Sequence, residues 1–319
     1  MSTARIGGAR YRDALPQLDE PLFLTDGGLE TTLIFHDGLD LPHFAAYDLL
    51  ARPGGPDALR RYFARYIEIA RERRVGIVLE TPTWRASPDW AERLGHSPDE
   101  LAALNAQSVA LLEAMRDELE TADTPIVISG CVGPRGDGYV VGDAMTADEA
   151  ETYHAVQIGM FGDTAVDLVT AITMTSAEEA IGVVRAARRA GLPVVISFTV
   201  ETDGHLPSGQ PLRDAIEQVE AETGGAPSYY MINCAHPTHF EHVLAADGVW
   251  TERIRGLRAN SSKLSHAELD EAEELDEGNP VELAGEYVAL RSRLPNLSVL
   301  GGCCGTDHRH VEAIGRAWS

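Results

Sequence analysis

Leu297-Ser298-Val299-Leu300-Gly301-Gly302-Cys303-Cys304-Gly305-Thr306 reads as a short strand that ends in glycines and two thiols, with a helix starting near Asp307. A short, nearly continuous apolar run is what a strand buried on both faces looks like, since no polar alternation is needed there. The same grammar recurs upstream. Apolar runs at 22–25, 76–80, 125–129, 167–173, 194–199, 229–233 and 254–259 each stop at polar residues, and with 297–300 they make eight strands. Amphipathic stretches separate them. Between 57 and 73, Leu59, Tyr62, Phe63, Tyr66, Ile67 and Ala70 fall on one stripe at helical spacing. Ser97…Glu100, Thr146…Glu149 and Ser176…Glu179 carry the capping-box pattern of a helix start. Pro98 takes a first helical position, where its missing N–H costs nothing. This alternation predicts an α/β protein: a single (β/α)8 TIM-type barrel over residues 21–319, behind an N-terminal arm, 1–20. Asp26-Gly27-Gly28-Leu29-Glu30 lacks the G-x-G-x-x-G spacing, which argues against a doubly wound dinucleotide fold.

Composition narrows the partners. The chain has 319 residues, 44% of them hydrophobic, enough for one large barrel. Twenty-six basic against 50 acidic residues give a formal net charge of −24, a field that repels nucleic acid and anionic membranes. The acidity itself reads as solubility or adaptation to salt. No apolar run approaches the ~20 residues of a membrane span, and the N-terminal residues lack the apolar core of a signal peptide. The expected location is cytoplasmic, where thiols stay reduced. A small-molecule partner is expected, and a homo-oligomer is compatible with everything above.

In a barrel the C-terminal ends of all strands meet at one mouth, and active sites lie there. Only four cysteines occur in the chain, and two of them, Cys303 and Cys304, are adjacent at such a strand end. Adjacent cysteines rarely bond to each other, because the small ring strains the disulfide geometry. Cys234 stands at the end of the sixth run, two strands away. Three thiolates at nearby strand ends suit one Zn²⁺, which favours four ligands and so keeps one position for a substrate. A thiol entering that position would bind as thiolate, and alkyl transfer to sulfur is the chemistry that needs it. The bland reading is three ordinary buried thiols. Cys131 reads as a packed thiol, His236 as a helix start, and His308 and His310 as surface or capping groups. Glu80 and Glu201 are either cation binders or strand-end groups. Trp84, Trp90 and Tyr139 are either core residues or a cage for a methylated cation. The acidic stretch 268–277 reads as a solvated face or loop, with a lid over the mouth as the alternative.

Beyond this, the chain resembles the homocysteine S-methyltransferase family, which includes betaine– and S-methylmethionine–homocysteine methyltransferases and the homocysteine-binding domain of methionine synthase. The likeness runs from about Pro21 to about Gly315. It rests on Asp26-Gly27-Gly28-Leu29-Glu30-Thr31, Arg85-Ala86-Ser87-Pro88, Gly133-Pro134, Gly136-Asp137, Ser197-Phe198-Thr199, Asn233-Cys234 and Gly301-Gly302-Cys303-Cys304-Gly305-Thr306. The resemblance implies a (β/α)8 barrel with zinc at its mouth, held by Cys234, Cys303 and Cys304 as metal ligands and catalytic residues. It also implies that Asp26, Gly27, Gly28, Thr173 and Asn233 hold the thiol substrate. The implied activity is zinc-dependent methyl transfer from a small onium donor, of the S-methylmethionine or betaine type, to homocysteine or a related thiol. That activity belongs to methionine biosynthesis. Three stretches depart from the family. Ile172-Thr173 stands where Glu-Thr is usual, Pro82-Thr83-Trp84 for Asn-Thr-Phe, and Ala259-Asn260-Ser261-Ser262 for Pro-Asn-Ala/Ser-Gly. Isoleucine cannot hydrogen-bond an ammonium, which points to a thiol other than homocysteine. Rival readings are a zinc-thiolate demethylase or lyase, and a non-catalytic protein that binds a thiol or zinc.

Overall fold

The computed structural model describes residues 8–318 apart from Asp143, Ala246, Asp247 and Glu273. Eight parallel strands close into a barrel: β1 (Phe23–Leu24), β2 (Gly76–Glu80), β3 (Ile126–Val132), β4 (Leu168–Met174), β5 (Val194–Phe198), β6 (Tyr229–Asn233), β7 (Ile254–Ala259) and β8 (Val299–Gly302). Closure is made by β1 on β8, Phe23 opposite Val299 and Leu24 opposite Leu300. The expected (β/α)8 architecture is what forms. Two strands run on by two residues or more past the sequence reading. β3 runs on through Cys131 and Val132, and β8 contains Gly301 and Gly302 rather than stopping before them. A Cβ on Gly301 would collide with the Thr25 hydroxyl and the Asp26 carbonyl, so glycine is what lets β8 close against the end of β1.

Side chains alternate along each strand, and the interior is built in levels. Phe23, Val78, Val127, Leu168, Val195, Tyr229, Met231 and Val299 form an apolar cluster inside the barrel. Two residues further along the same faces stand Glu80, Ser129, Thr170, Ser197 and Asn233, all buried. The interior is therefore apolar below and polar above. The opposite faces, such as Ile77, Leu79, Ile126, Ile128 and Ile196, pack on the surrounding helices.

The helices start as their caps dictate, with one exception. Ser97 and Thr146 form reciprocal boxes with Glu100 and Glu149. Ser176 accepts from the Glu179 N–H, but the Glu179 carboxylate turns away to accept from the Arg135 N–H at 2.7 Å and to meet the His154 ring at 2.9 Å. A further box, Ser265 with Glu268, opens the short helix His266–Asp270 within the acidic stretch. No described helix is long and apolar enough to cross a membrane.

The bottom of the barrel is sealed by the N-terminal arm. Leu15, with Tyr11 and Leu18 beside it, packs onto the interior apolar cluster. Asp167, at the entry to β4, is fully buried and accepts four hydrogen bonds. Arg10 and Tyr11 N–H groups donate to Oδ1, both at 2.7 Å, and Arg116 Nη1 and the Ile128 N–H donate to Oδ2 at 2.8 and 2.9 Å.

Candidate metal centre

β6 and β8 flank β7, so the residues that follow them share one side of the mouth. Cys234 follows β6, and Cys303 and Cys304 follow β8. Their three Sγ atoms lie within 4.8 Å of one another, and Cys234 and Cys304 are 3.6 Å apart. Cys234 takes a left-handed backbone, φ 54°, rare for a residue with a Cβ. The twist turns its carbonyl toward donors: Asn260 Nδ2 at 3.0 Å, with His266 Nε2 at 2.7 Å. Polar hydrogens also reach the sulfurs. Asn233 Nδ2 is 3.9 Å from Cys303 Sγ, and the Tyr139 hydroxyl is 3.2 Å from Cys304 Sγ and 3.8 Å from Cys234 Sγ. Tyr139 is held by stacking on His266, with centroids 4.1 Å apart.

One negative charge is enough to organise the three thiols. Hydrogen bonds from Cys234 and Cys304, helped by the Arg258 guanidinium, pull Cys303 well below the usual thiol range. That charge and its hydrogen bonds hold Cys234 and Cys304 up. Three sulfurs gathered on one anionic focus suit a soft, tetrahedral dication. His36, Glu277 and Asp307 also converge, but Arg309 already bridges Glu277 and Asp307 at 2.9 and 2.7 Å. A cation of the chain's own sits there, and the group works as a latch on the segment after β7.

That segment covers the mouth. Leu269, Ala272 and Leu275 line a cavity of about 300 Å³ together with Phe35, Phe44, Trp84, Ile172 and the sulfurs. The acidic stretch is thus a lid with apolar residues turned inward, fastened through the Ser261 hydroxyl on the Asp276 carbonyl at 2.7 Å and through Glu277 on His36 at 2.7 Å.

The residues expected to hold the substrate fall into two groups. Asp26, Gly27, Gly28 and Thr173 line the cavity. Asp26 is not free: Oδ1 accepts from Arg258 Nη2 at 2.6 Å and Oδ2 from the Tyr62 hydroxyl at 2.9 Å. The Gly28 N–H donates to the Thr306 carbonyl at 3.0 Å. Asn233 lies beneath, its Oδ1 accepting from the Thr173 N–H at 2.9 Å and the Ser197 hydroxyl at 2.6 Å, while Nδ2 donates to Thr173 Oγ1 at 2.8 Å. Asn233 thereby fixes Thr173, whose φ is 65°, and faces Cys303.

Other expectations sort as follows. Cys131 is a buried thiol on β3, apart from the converging sulfurs. His236 opens helix Pro237–Phe240 as expected. His310 is fully buried rather than on the surface and takes the capping role: its Nδ1 accepts from the Asp307 N–H at 3.1 Å and its Nε2 meets the Glu277 carbonyl at 2.8 Å. Glu80 lines the cavity, whereas Glu201 meets His266 Nδ1 at 3.1 Å. Trp90 stacks on Arg85 away from the cavity wall. Sequence reasoning missed Arg258, Tyr62 and His266. In the fold Leu257 and Ala259 face the helices, which turns the arginine between them into the barrel.

Comparison with known proteins agrees with this construction. The family model described as Homocysteine S-methyltransferase matches residues 23–318. "Homocysteine S-methyltransferase 4" of Zea mays is 24% identical over 92% of this chain and 88% of its own length. "Methionine synthase" of Mycobacterium tuberculosis is 25% identical over 96% of this chain, which spans only 25% of that protein. The crystal structure of the homocysteine methyltransferase MmuM from Escherichia coli in its metallated form superposes with a TM-score of 0.71 at 18% identity. It covers 93% of this chain and 96% of its own. The oxidized form gives 0.73 at 20% identity with the same coverage. At such identities the solved structures speak for the fold.

Proposed function

The chain belongs to the homocysteine S-methyltransferase family, and from that premise we propose that it moves a methyl group from a small onium donor to a thiol seated over Cys234, Cys303 and Cys304. The observation that carries this is the convergence of three sulfurs within 4.8 Å at the edge of a lidded cavity. Cys234, Cys303 and Cys304 would hold one Zn²⁺, whose preference for four ligands leaves a place for the acceptor sulfur. When bound, zinc would keep that sulfur as a nucleophilic thiolate at neutral pH.

The chain's own residues do the rest. Asn233 and Tyr139 direct polar hydrogens at Cys303 and Cys304 and hold the sulfurs in place. Arg258 offsets the negative charge of the thiolates and of Asp26. Leu269, Ala272 and Leu275 of the lid, with Trp84, keep water from the reacting atoms. Asp137, Asp270, Glu274 and Asp276 give the cavity rim a negative field that draws in a cationic donor. The name of the maize relative supports an acceptor of the homocysteine class. Ile172 supports a related thiol, because that wall offers an amine nothing. The same reading takes 21–319 as one catalytic domain and 1–20 as its arm.

Metal analysis of protein purified without chelator is expected to find about one zinc per chain, and the Cys303→Ser/Cys304→Ser double variant to lose it. Mass spectrometry of the zinc-loaded protein with a panel of thiols and of sulfonium and quaternary ammonium donors is expected to show one methylated thiol. Full zinc retention in the double variant, or no methylated thiol from any pair, would sink the reading.

A further inference from the structure

The cavity holds more carboxyl groups than its cations answer. Asp26 is engaged by Arg258 and Tyr62. Arg85, the other guanidinium at the wall, lies 3.9 Å from the centroids of both Trp84 and Trp90, donates to the Gly136 carbonyl at 2.7 Å and faces Asp137 at 3.7 Å. Glu30 and Glu80 also line the cavity, and among the described residues neither has a cation at ion-pair distance. Glu80 is only 5% exposed, and its Oε2 has no hydrogen-bond partner. It points inward by the parity that turns Val78 inward two residues below. Ile172, two strands along on β4, lines the same cavity.

A buried carboxylate oxygen without a partner costs stability, so a fold that leaves Glu80 Oε2 in that state, with the half-buried Glu30 on the same cavity, invites a ligand that supplies what is missing. Burial pushes both Glu30 and Glu80 up to about 7. A cation arriving beside them favours the ionised form: an ammonium adds a charge-assisted hydrogen bond, and an onium, which has no N–H, adds the charge pairing alone. The missing counterpart is therefore a positive group small enough to share about 300 Å³ with the thiol.

Resting on the methyl-transfer reading above, we infer that Glu80, with Glu30, forms a cation subsite that takes the organic cation of a substrate. That cation is either the ammonium of the acceptor thiol or the onium of the methyl donor. The subsite sets specificity: it selects the charged substrate over an isosteric neutral one, while the sulfur cluster holds the thiol whatever its charge.

Titration calorimetry on the zinc-loaded protein tests this with two matched pairs of probes. Homocysteine and 4-mercaptobutyrate differ in the ammonium; glycine betaine and its carbon isostere 3,3-dimethylbutyrate differ in the cationic nitrogen. In wild type the charged member of one pair should bind about ten-fold or more tightly than its neutral partner, the worth of a charge-assisted hydrogen bond for the ammonium or of a buried charge pairing for the quaternary nitrogen. Glu80→Gln should bring that ratio down to about three-fold or less, with the neutral member little changed, and Glu30→Gln should lower it in the same direction. Collapse in the thiol pair assigns the cation to the acceptor, and collapse in the betaine pair assigns it to the donor. Should Glu80→Gln fail to fold, Glu80→Asp and Glu30→Gln carry the test. Ratios unchanged in folded variants overturn the subsite. So does methyl transfer lost with both ratios intact, which makes the glutamates proton acceptors instead. If no thiol binds even wild type, the methyl-transfer reading falls as well; thiols that bind without discrimination overturn the subsite alone.

Discussion

Two buried aspartate–arginine pairs stand at opposite ends of this barrel, and they are finished differently. At the bottom, Asp167 accepts two hydrogen bonds on each oxygen, and two of its four donors come from the N-terminal arm. At the mouth, Asp26 accepts one side-chain donor on each oxygen, Arg258 keeps Nη1 without a partner, and Glu80 nearby keeps Oε2 without one. The same two residue types make a joint at one end and a receptor at the other. Where a carboxylate only has to hold the chain, the fold saturates it. Where a ligand is to be held, donors and acceptors are left for it.

Breaking the lower joint should do the most damage. Arg116→Met leaves Asp167 charged and buried, and the expected loss is about 3–5 kcal/mol in urea unfolding, with zinc content and thiol affinity of the folded fraction unchanged. A loss below about 1 kcal/mol would mean that the backbone donors alone satisfy Asp167. At the mouth, Asp26→Asn removes the charge facing Arg258 but keeps the shape. A smaller stability loss is expected, about 1–3 kcal/mol, because the asparagine oxygen can still accept from the guanidinium, and here thiol affinity should fall. An unfolding cost equal to that of Arg116→Met with unchanged thiol affinity would make the two ends equivalent.

The third difference is in pH. Glu80 carries a folded value of about 7 against an ordinary 4.5, raised by burial. The folded protein therefore binds the extra proton, so this group's contribution is complete below about pH 4.5 and is lost as pH rises through about 7. Glu80→Gln should flatten the fall in stability between pH 5 and 8 by on the order of 1–2 kcal/mol, seen in melting curves at matched ionic strength. A steeper fall in the variant would reverse the sign and remove the case for a neutral resting Glu80.

The architecture could be read from the chain because strands buried on both faces leave uninterrupted apolar runs, and eight of them alternate with amphipathic stretches. The sulfur centre could be read because cysteine is rare here and falls at strand ends. What could not be read depends on pairing. Arg258 sits in Ile254-Arg255-Gly256-Leu257-Arg258-Ala259, where one arginine faces out and the other in. A register shift between β6 and β7 hides which is which. Gly301 and Gly302 look like a turn and are strand, because their smallness serves closure against Thr25 and Asp26. The lid was ambiguous because its acidic residues dominate the composition. Leu269, Ala272 and Leu275 recur at intervals of three, and that is the trace of its inward face. Glu179 broke its capping box because a buried histidine and an N–H offered more than the helix end did.

The sealed bottom also orders events in time. The seat of Leu15 is built from residues on β1, β2, β3, β4, β5, β6 and β8, so it exists only once the sheet has closed. Closure in turn waits for Val299 and Leu300 to pair with Phe23 and Leu24, contacts of very long sequence separation that form late. The arm leaves the ribosome before any strand, yet its docking comes after all of them. Arg10 and Tyr11 therefore report completion: protection of their backbone N–H groups against hydrogen exchange should be the last to appear on refolding.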